Sequence, residues 1–518
     1  MNVVGWFFKD LSQKMNMFRK KLIGNFRWQY LPPVMVYFAY GASTVTSIAA
    51  TFWVKEKLGL SPAELAVIGF WVGFPWTIKM VFGQVVDSFK IFGSNRWPYI
   101  ILGGGLVMLG YGTMVGLAAE WSWLGVLGAK KGLYLLSQVA IATGFMFQDV
   151  VADAMTVGVV DTHNKDGTPR ALEEINADKN YVQWLGRLFL MTAMVFVSGL
   201  LSGWLAKNFS YSVNFTLAMV ALPVISLSGL FFMRRRILIE PSPVNWSILG
   251  GGIIFGALVI FTAFLEIPFG EEAVFAVSLA VLSFLLYRAG ITKAIVYAAI
   301  VIFIYRATPG AGDGIGWWYI DALGFDKQFL GLLSQIGAIM AVIGMLVFRK
   351  YIIEKPIGFT LAWLTIVGAI LVLPNIGLFY GIHEKLGISA RTVAFVDQTI
   401  SAPFGQLSMV PLLALIARTT PLGREATWFA LMASMMNLAL SASSLGTKYL
   451  NVIYPVSQAE IDRTTGAVLA AASYGNVGML MIVSTLIGLV LPLLAIFLFL
   501  RDFNISKKDT EVGKKSLD

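Results

Sequence analysis

The 518-residue chain is 57% hydrophobic and 13% charged, with a mean hydropathy of +0.74. A soluble fold this apolar would lack a polar surface, and repeated runs of about 20 apolar residues mark a polytopic helical membrane protein, not a barrel of alternating strands. The net charge of +10 then reports basic cytoplasmic loops and no nucleic-acid partner, and the absence of cysteine excludes disulfides and thiolate metal sites.

Residues 1–30 carry Lys9, Lys14, Arg19, Lys20, Lys21 and Arg27 without the short apolar core of a signal peptide, so an amphipathic cytoplasmic lead-in is expected. Spans follow at 31–54, 62–86, 98–119, 132–160, 181–205 and 211–233, then 247–266 and 271–288, then 294–320, 328–348, 357–379, 389–417, 425–447 and 474–500, about fourteen in all. Threaded in this way, the basic clusters fall on one side. That side is expected to be the cytoplasm, with both termini there and the protein in the cell (inner) membrane. The 161–180 loop reads as a connector with a short surface helix from Pro169.

A shift of 265 residues aligns Tyr40 with Tyr305, Trp53 with Trp318, Leu58-Gly59-Leu60 with Leu323-Gly324-Phe325, and Leu65 with Leu330. With two spans between the copies, both begin in the same orientation, the parallel-repeat plan of transporters whose halves move around a central site. The expected fold is all-α and of major facilitator type, two six-helix repeats plus an inserted helix pair. Its parts are the lead-in, a six-helix bundle at 31–233, a linker with two extra helices at 234–293, a second bundle at 294–500 and a cytoplasmic tail at 501–518. The inserted pair, whose chemistry is limited to Glu266, is expected to pack or to face lipid.

Charges inside spans are costly and mark function by default. Asp149 and Asp153 stack on one face of the fourth span, and Lys79, about 12 Å along its helix from Asp87, lies at a similar depth. An ion pair from Lys79 to Asp149 or Asp153 would relieve both burials; snorkelling of Lys79 is the competing reading. Tyr40, Thr44, Ser47 and Thr51 share a face of the first span, suited to a polar ligand or to helix packing. In the span at 294–320, the seventh when the inserted pair is left out, Pro309 and its neighbouring glycines weaken the helix, so its carbonyls and amides become available to a ligand. Arg306 there suits a carboxylate, or a salt bridge to Asp313 or Asp397, and Trp317 and Trp318 offer flat surfaces or belong to an interfacial belt.

The loop GQVVDSFKIFGSNRWPY at 83–99, with Gly83, Asp87 and Arg96, resembles the gating loop between the second and third helices of the major facilitator superfamily. Together with Pro75-Trp76, Lys79, Phe92-Gly93, Pro98-Tyr99 and Asp149-Val-Val-Ala-Asp153-Ala it resembles the folate–biopterin transporter family. Arg306-Ala-Thr-Pro309, Ala311 and Asp313, and the 406–437 stretch with Pro411, Arg418, Glu425, Ser434 and Asn437, are similar to the family's second half. One departure is visible: Met155-Thr-Val-Gly-Val-Val follows Asp153 where the family usually has a glutamate.

The resemblance implies a secondary active transporter that moves a folate- or pterin-like organic solute by alternating access, coupled to protons. Substrate contacts are expected from Tyr40, Thr44, Ser47, Arg306, Asp313, Trp317, Asp397 and Gln406. Coupling and gating are expected from Lys79, Asp87, Arg96, Asp149, Asp153 and Glu425. The alternatives are a muropeptide or other organic-anion permease of the same superfamily, or a membrane assembly factor. No enzyme is expected, since the chain has no nucleotide loop, no metal-ligand cluster and no cofactor motif. Its expected partners are the solute, the proton and the lipid bilayer.

Overall fold

The computed structural model describes residues 26–164, 166–233, 244, 246–265, 267–288, 293–405, 407–418, 425–461 and 468–500. Gln406, Glu266 and the side chains of Arg418 and Glu425 lie outside what is described. The chain is almost wholly helical. Eleven helices, among the described residues, are long and apolar enough to cross a membrane. The expected spans at 247–266, 294–320 and 425–447 are not among them, so the count of fourteen is not reached, and the one at 294–320, the seventh when the inserted pair is left out, is broken in two.

The first span comprises α1 (Leu31–Ala42) and α2 (Ser47–Trp53), joined by a 3-10 stretch over Ser43–Thr46. The second comprises α3 (Pro62–Thr77) and α4 (Lys79–Ser88), which meet at Ile78. Then come α5 (Trp97–Ala118), α6 (Lys130–Gly158), α7 (Leu172–Ala193), α8 (Leu200–Asn208) and α9 (Tyr211–Ser228). The inserted pair is α10 (Trp246–Phe264) and α11 (Gly270–Arg288). The seventh span is split into α12 (Lys293–Arg306) and α13 (Gly314–Asp321). The rest are α14 (Lys327–Glu354), α15 (Ile357–Phe379), α16 (Ala390–Ser401), α17 (Met409–Arg418), α18 (Glu425–Ile453) and α19 (Val477–Phe499). A small antiparallel hairpin, Glu460–Ile461 with Val468–Ala470, sits in the loop before α19.

One expectation is corrected. Residues 172–180 form no separate surface helix; α7 starts at Leu172 and runs on into the fifth span. The stretch from Leu172 to Leu185 contains no glycine or proline to stop it, and Glu173 and Glu174 suit the positive end of a helix dipole.

Two apolar clusters, one around Trp53, Tyr111 and Phe215 and one around Tyr37, Tyr99 and Met155, tie α1 to α9 together. A third, around Ile302, Leu361 and Met432, ties α12, α15, α18 and α19. The aligned repeat positions share local geometry: Gly59 has φ 66° and Gly324 has φ 63°, the left-handed conformation that glycine adopts at least cost after a helix. Leu60 and Phe325, which follow them, are both buried.

Early and late helices meet closely at the end away from the basic loops. Lys55 Nζ lies 2.7 Å from Asp321 Oδ1, Lys207 donates to Gln328 Oε1 at 2.7 Å, and Lys327 donates to the Tyr211 hydroxyl at 2.9 Å. There α8 and α14 cross at Gly203 and Gly331, where a Cβ on Gly203 would stand 2.8 Å from the Gly331 Cα. Only glycine permits this approach, and it closes the molecule at this end.

Candidate functional site

The second span breaks where the family motif lies. Pro75 and the break at Ile78 interrupt the helical hydrogen bonds, and Lys79 opens α4, an end whose dipole disfavours a cation. Two carboxylates on α6 compensate. Lys79 Nζ donates to Asp149 Oδ2 at 2.6 Å and to Asp153 Oδ2 at 2.8 Å, so the ammonium bridges the stacked pair and does not snorkel. The two acids differ: the Asp149 side chain is 10% exposed and that of Asp153 44%. Asp153 also accepts a hydrogen bond from the Tyr37 hydroxyl, and the Arg187 guanidinium lies over the Tyr37 ring, 5.3 Å from its centroid. The cluster therefore holds two positive and two negative side chains.

Tyr37 and Arg187 were not singled out from the sequence. Both carried a signal: Arg187 is a charge inside the fifth span, and Tyr37 lies three residues before Tyr40 on the same helix face. Tyr40 packs tilted against Trp76 and Phe145 at centroid distances of 5.6 and 5.5 Å. Tyr40, Thr44, Ser47 and Thr51 are all exposed, so this face is open to solvent or ligand and is not consumed by helix packing. In the loop after α4, Arg96 is buried and donates through Nη1 to Asp87 Oδ1 at 3.1 Å and to the Asn95 carbonyl at 3.0 Å.

The expectation for the seventh span needs correction. The backbone groups of its break are not left free for a ligand, because a polar stripe on α18 takes them. Ser443 donates to the Thr308 carbonyl at 2.7 Å, Gly310 N–H donates to Thr447 Oγ1 at 3.0 Å, and Asn451 donates to the Ala311 carbonyl at 3.1 Å. Residues 443, 447 and 451 recur every four positions on one face. Inside a membrane, freed backbone groups must find such partners. The same helix serves the other break: Asn437 donates to the Trp76 carbonyl at 2.9 Å.

Arg306 makes no salt bridge to Asp313 or Asp397. Its Nε donates to the Met436 carbonyl at 3.3 Å, and no ion pair to it occurs among the described residues. Asp397 instead accepts from Asn375 at 2.7 Å and from Ser401 at 3.2 Å, and Tyr319 donates to Asn375 at 2.6 Å. Asp313 is exposed. Trp317 and Trp318 are 2% and 5% exposed, so neither ring offers a face to a ligand in this conformation. Next to the break lies a cavity of about 440 Å³ lined by Tyr305, Thr308, Tyr319, Thr365, Asn375 and Thr485, among others. Its polar groups are uncharged. No group of His, Cys, Asp and Glu able to hold a metal occurs among the described residues.

Two broken spans mended by the same polar helix, α18, beside a charge cluster and an uncharged cavity, fit a multi-pass membrane transporter of major facilitator type. The BT1 family model matches residues 41–517, and the chain belongs to that family. The folate-biopterin transporter of Synechocystis sp. is 27% identical over 445 residues, 84% of this chain and 78% of that protein. Folate transporter 2 of Plasmodium falciparum is 21% identical over 470 residues, 90% of each chain. The family and these relatives are transporters, not enzymes. Among solved structures, a POT family transporter in complex with a thioalcohol-conjugated peptide superposes with a TM-score of 0.63 at 12% identity, covering 92% of this chain and 96% of that one. A bacterial homologue of the iron transporter ferroportin, in an inward-facing state, gives 0.55 at 11% identity over 90% and 98%. These two likenesses establish the fold alone.

Proposed function

We propose that the protein carries a folate- or pterin-like organic anion across the membrane by alternating access, coupled to protons through the Lys79, Asp149 and Asp153 cluster. The observation that carries this reading is the ammonium held between two carboxylates at a helix break, in a chain whose relatives are folate transporters. Protonating either carboxylate leaves Lys79 with one anionic partner, and the strength of its hold on α6 falls. The bundles at 31–233 and 294–500 then rock about the substrate, opening the contacts at Lys55–Asp321 and Gly203–Gly331 as the cytoplasmic side closes.

The substrate's two chemistries match two regions. Its carboxylates suit Arg306, a cation without an acidic partner among the described residues. The flat pterin suits the exposed Tyr40, and Thr44, Ser47, Asp313 and Asp397 are within the same scheme as hydrogen-bonding groups, with Trp317 reserved for a conformation that uncovers it. Asp87 and Arg96 latch the loop between the second and third spans. Gln406 and Glu425 keep the roles expected from their motif.

The test is uptake of labelled folate into proteoliposomes of the purified protein, with and without an inward proton gradient, competed by biopterin and by a muropeptide. Gradient-stimulated uptake blocked by biopterin supports the proposal. Uptake blocked by the muropeptide alone, or absent under every gradient, contradicts it.

A further inference from the structure

A second cavity, of about 710 Å³, lies at the end away from the basic loops, remote from the Lys79 cluster. Its wall combines α3, the start of α6, α18 and the turn between α10 and α11, so the inserted helix pair builds part of it. Four charged residues line it. Lys131 Nζ lies 3.1 Å from Glu64 Oε1, and Lys448 Nζ lies 2.7 Å from Glu271 Oε1. Lys448 also meets Glu272 at 2.6 Å, which pins α11 to α18. Glu64 is held by a capping box: Ser61 N–H donates to its Oε2 at 2.8 Å, while its own N–H donates to Ser61 Oγ at 3.2 Å.

The remaining wall is apolar and its rim faces outward. Leu127, Leu265 and Phe269, all lining residues, are 60%, 58% and 73% exposed. Phe269 holds its ring out from a backbone with φ 58°, a conformation that bulky residues seldom adopt and that points to a role for the exposed side chain. Nearby in sequence, Trp121 and Trp123 stack at 5.9 Å and are both exposed, the mark of a headgroup-level belt. The cavity thus opens sideways at the membrane interface, with charge inside and hydrocarbon-compatible surface at its mouth.

We propose that this cavity holds one zwitterionic phospholipid of the non-cytoplasmic leaflet, its phosphate against Lys131 and Lys448 and its ammonium against Glu64 and Glu271. The four lining charges sum to zero and Glu272, which also holds Lys448, adds one negative charge, so a headgroup carrying one of each sign exchanges partners with both ion pairs without adding to that excess. An anionic headgroup, which brings no ammonium, would raise the negative excess by one. A primary ammonium donates N–H bonds to carboxylates and a quaternary one cannot, so phosphatidylethanolamine ranks above phosphatidylcholine, and both above phosphatidylglycerol. The seat spans elements from both ends of the chain, which places a lipid where the inserted pair meets α3, α6 and α18.

The test is native mass spectrometry of the purified full-length protein offered the three lipids, with soluble phosphoethanolamine as a further arm. Phosphatidylethanolamine is expected to be retained about tenfold over phosphatidylglycerol, the ratio one charge-assisted hydrogen bond supplies. The informative variant is Gly132→Phe. Gly132 lines the cavity, and a Cβ there meets nothing within 4 Å, so a bulky side chain has space to enter the seat. It should abolish the retained lipid while melting like the parent in detergent. Equal retention of all three lipids, unchanged retention in Gly132→Phe, or binding of phosphoethanolamine as tight as that of the lipid would each overturn the proposal.

Discussion

The break in the first span and the break in the seventh fall at equivalent places in the repeat, yet the molecule finishes them differently. At Ser43–Thr46 the Tyr111 hydroxyl from α5 donates to the Ser43 carbonyl at 3.3 Å and sits 3.2 Å from Thr46 Oγ1, within an apolar cluster. That break is plugged. At 307–313 the partners come from α18, and on another side the 440 Å³ cavity remains open among tyrosines, threonines and Asn375. The first bundle has its fixed charges nearby and a tyrosine hydroxyl at its break; the second has a cavity there with uncharged hydrogen-bonding groups. The contrast separates a break closed by a single hydroxyl beside a charge cluster from a break that borders a cavity with uncharged walls.

The largest effect should come from the charged side. Lys79→Ala leaves Asp149 buried without its cation, and breaking such a pair costs about 3–5 kcal/mol; a large drop in melting temperature and loss of uptake are expected. The double variant Lys79→Ala/Asp149→Asn should regain most of that stability but not gradient-driven uptake. Single and double variants that melt alike would show that the pair is not what Asp149 needs.

Filling the open break comes next. Gly368 lines the 440 Å³ cavity, and a Cβ there meets nothing within 4 Å. Gly368→Phe should raise the half-saturating substrate concentration by about tenfold, equivalent to about 1.4 kcal/mol of lost contact, with the melting temperature unchanged. Unaltered uptake kinetics would remove the cavity from the ligand's path. The smallest effect belongs to the plugged break. Tyr111→Phe loses the hydroxyl's bonds and should cost about 1 kcal/mol of stability, read by thermal melting, with uptake intact. A transport defect there would dissolve the contrast between the two breaks.

The architecture was legible because membrane spans, basic loops and a 265-residue repeat are written in composition and order. The charge cluster was legible because a lysine and two aspartates in apolar runs have few ways to be accommodated. Other features depended on neighbours remote in sequence. Ser443, Thr447 and Asn451 read as ordinary small polar residues until the seventh span breaks beside them, and their spacing of four was the one available signal. The burial of Trp317 and the choice of Met436 by Arg306 over either aspartate follow from side-chain packing that no spacing encodes. The insert read as packing or lipid-facing, and Lys448 with Glu271 and Glu272 became visible only when α11 and α18 met.

The central claim is that protonation of the Asp149 and Asp153 pair drives accumulation of the solute. Its most direct test compares the parent with Asp149→Asn in proteoliposomes, measuring accumulation of labelled folate under an inward proton gradient and exchange of labelled for unlabelled folate without one. The account predicts that the variant exchanges folate but no longer accumulates it. Accumulation by Asp149→Asn at the parent's level would contradict the account.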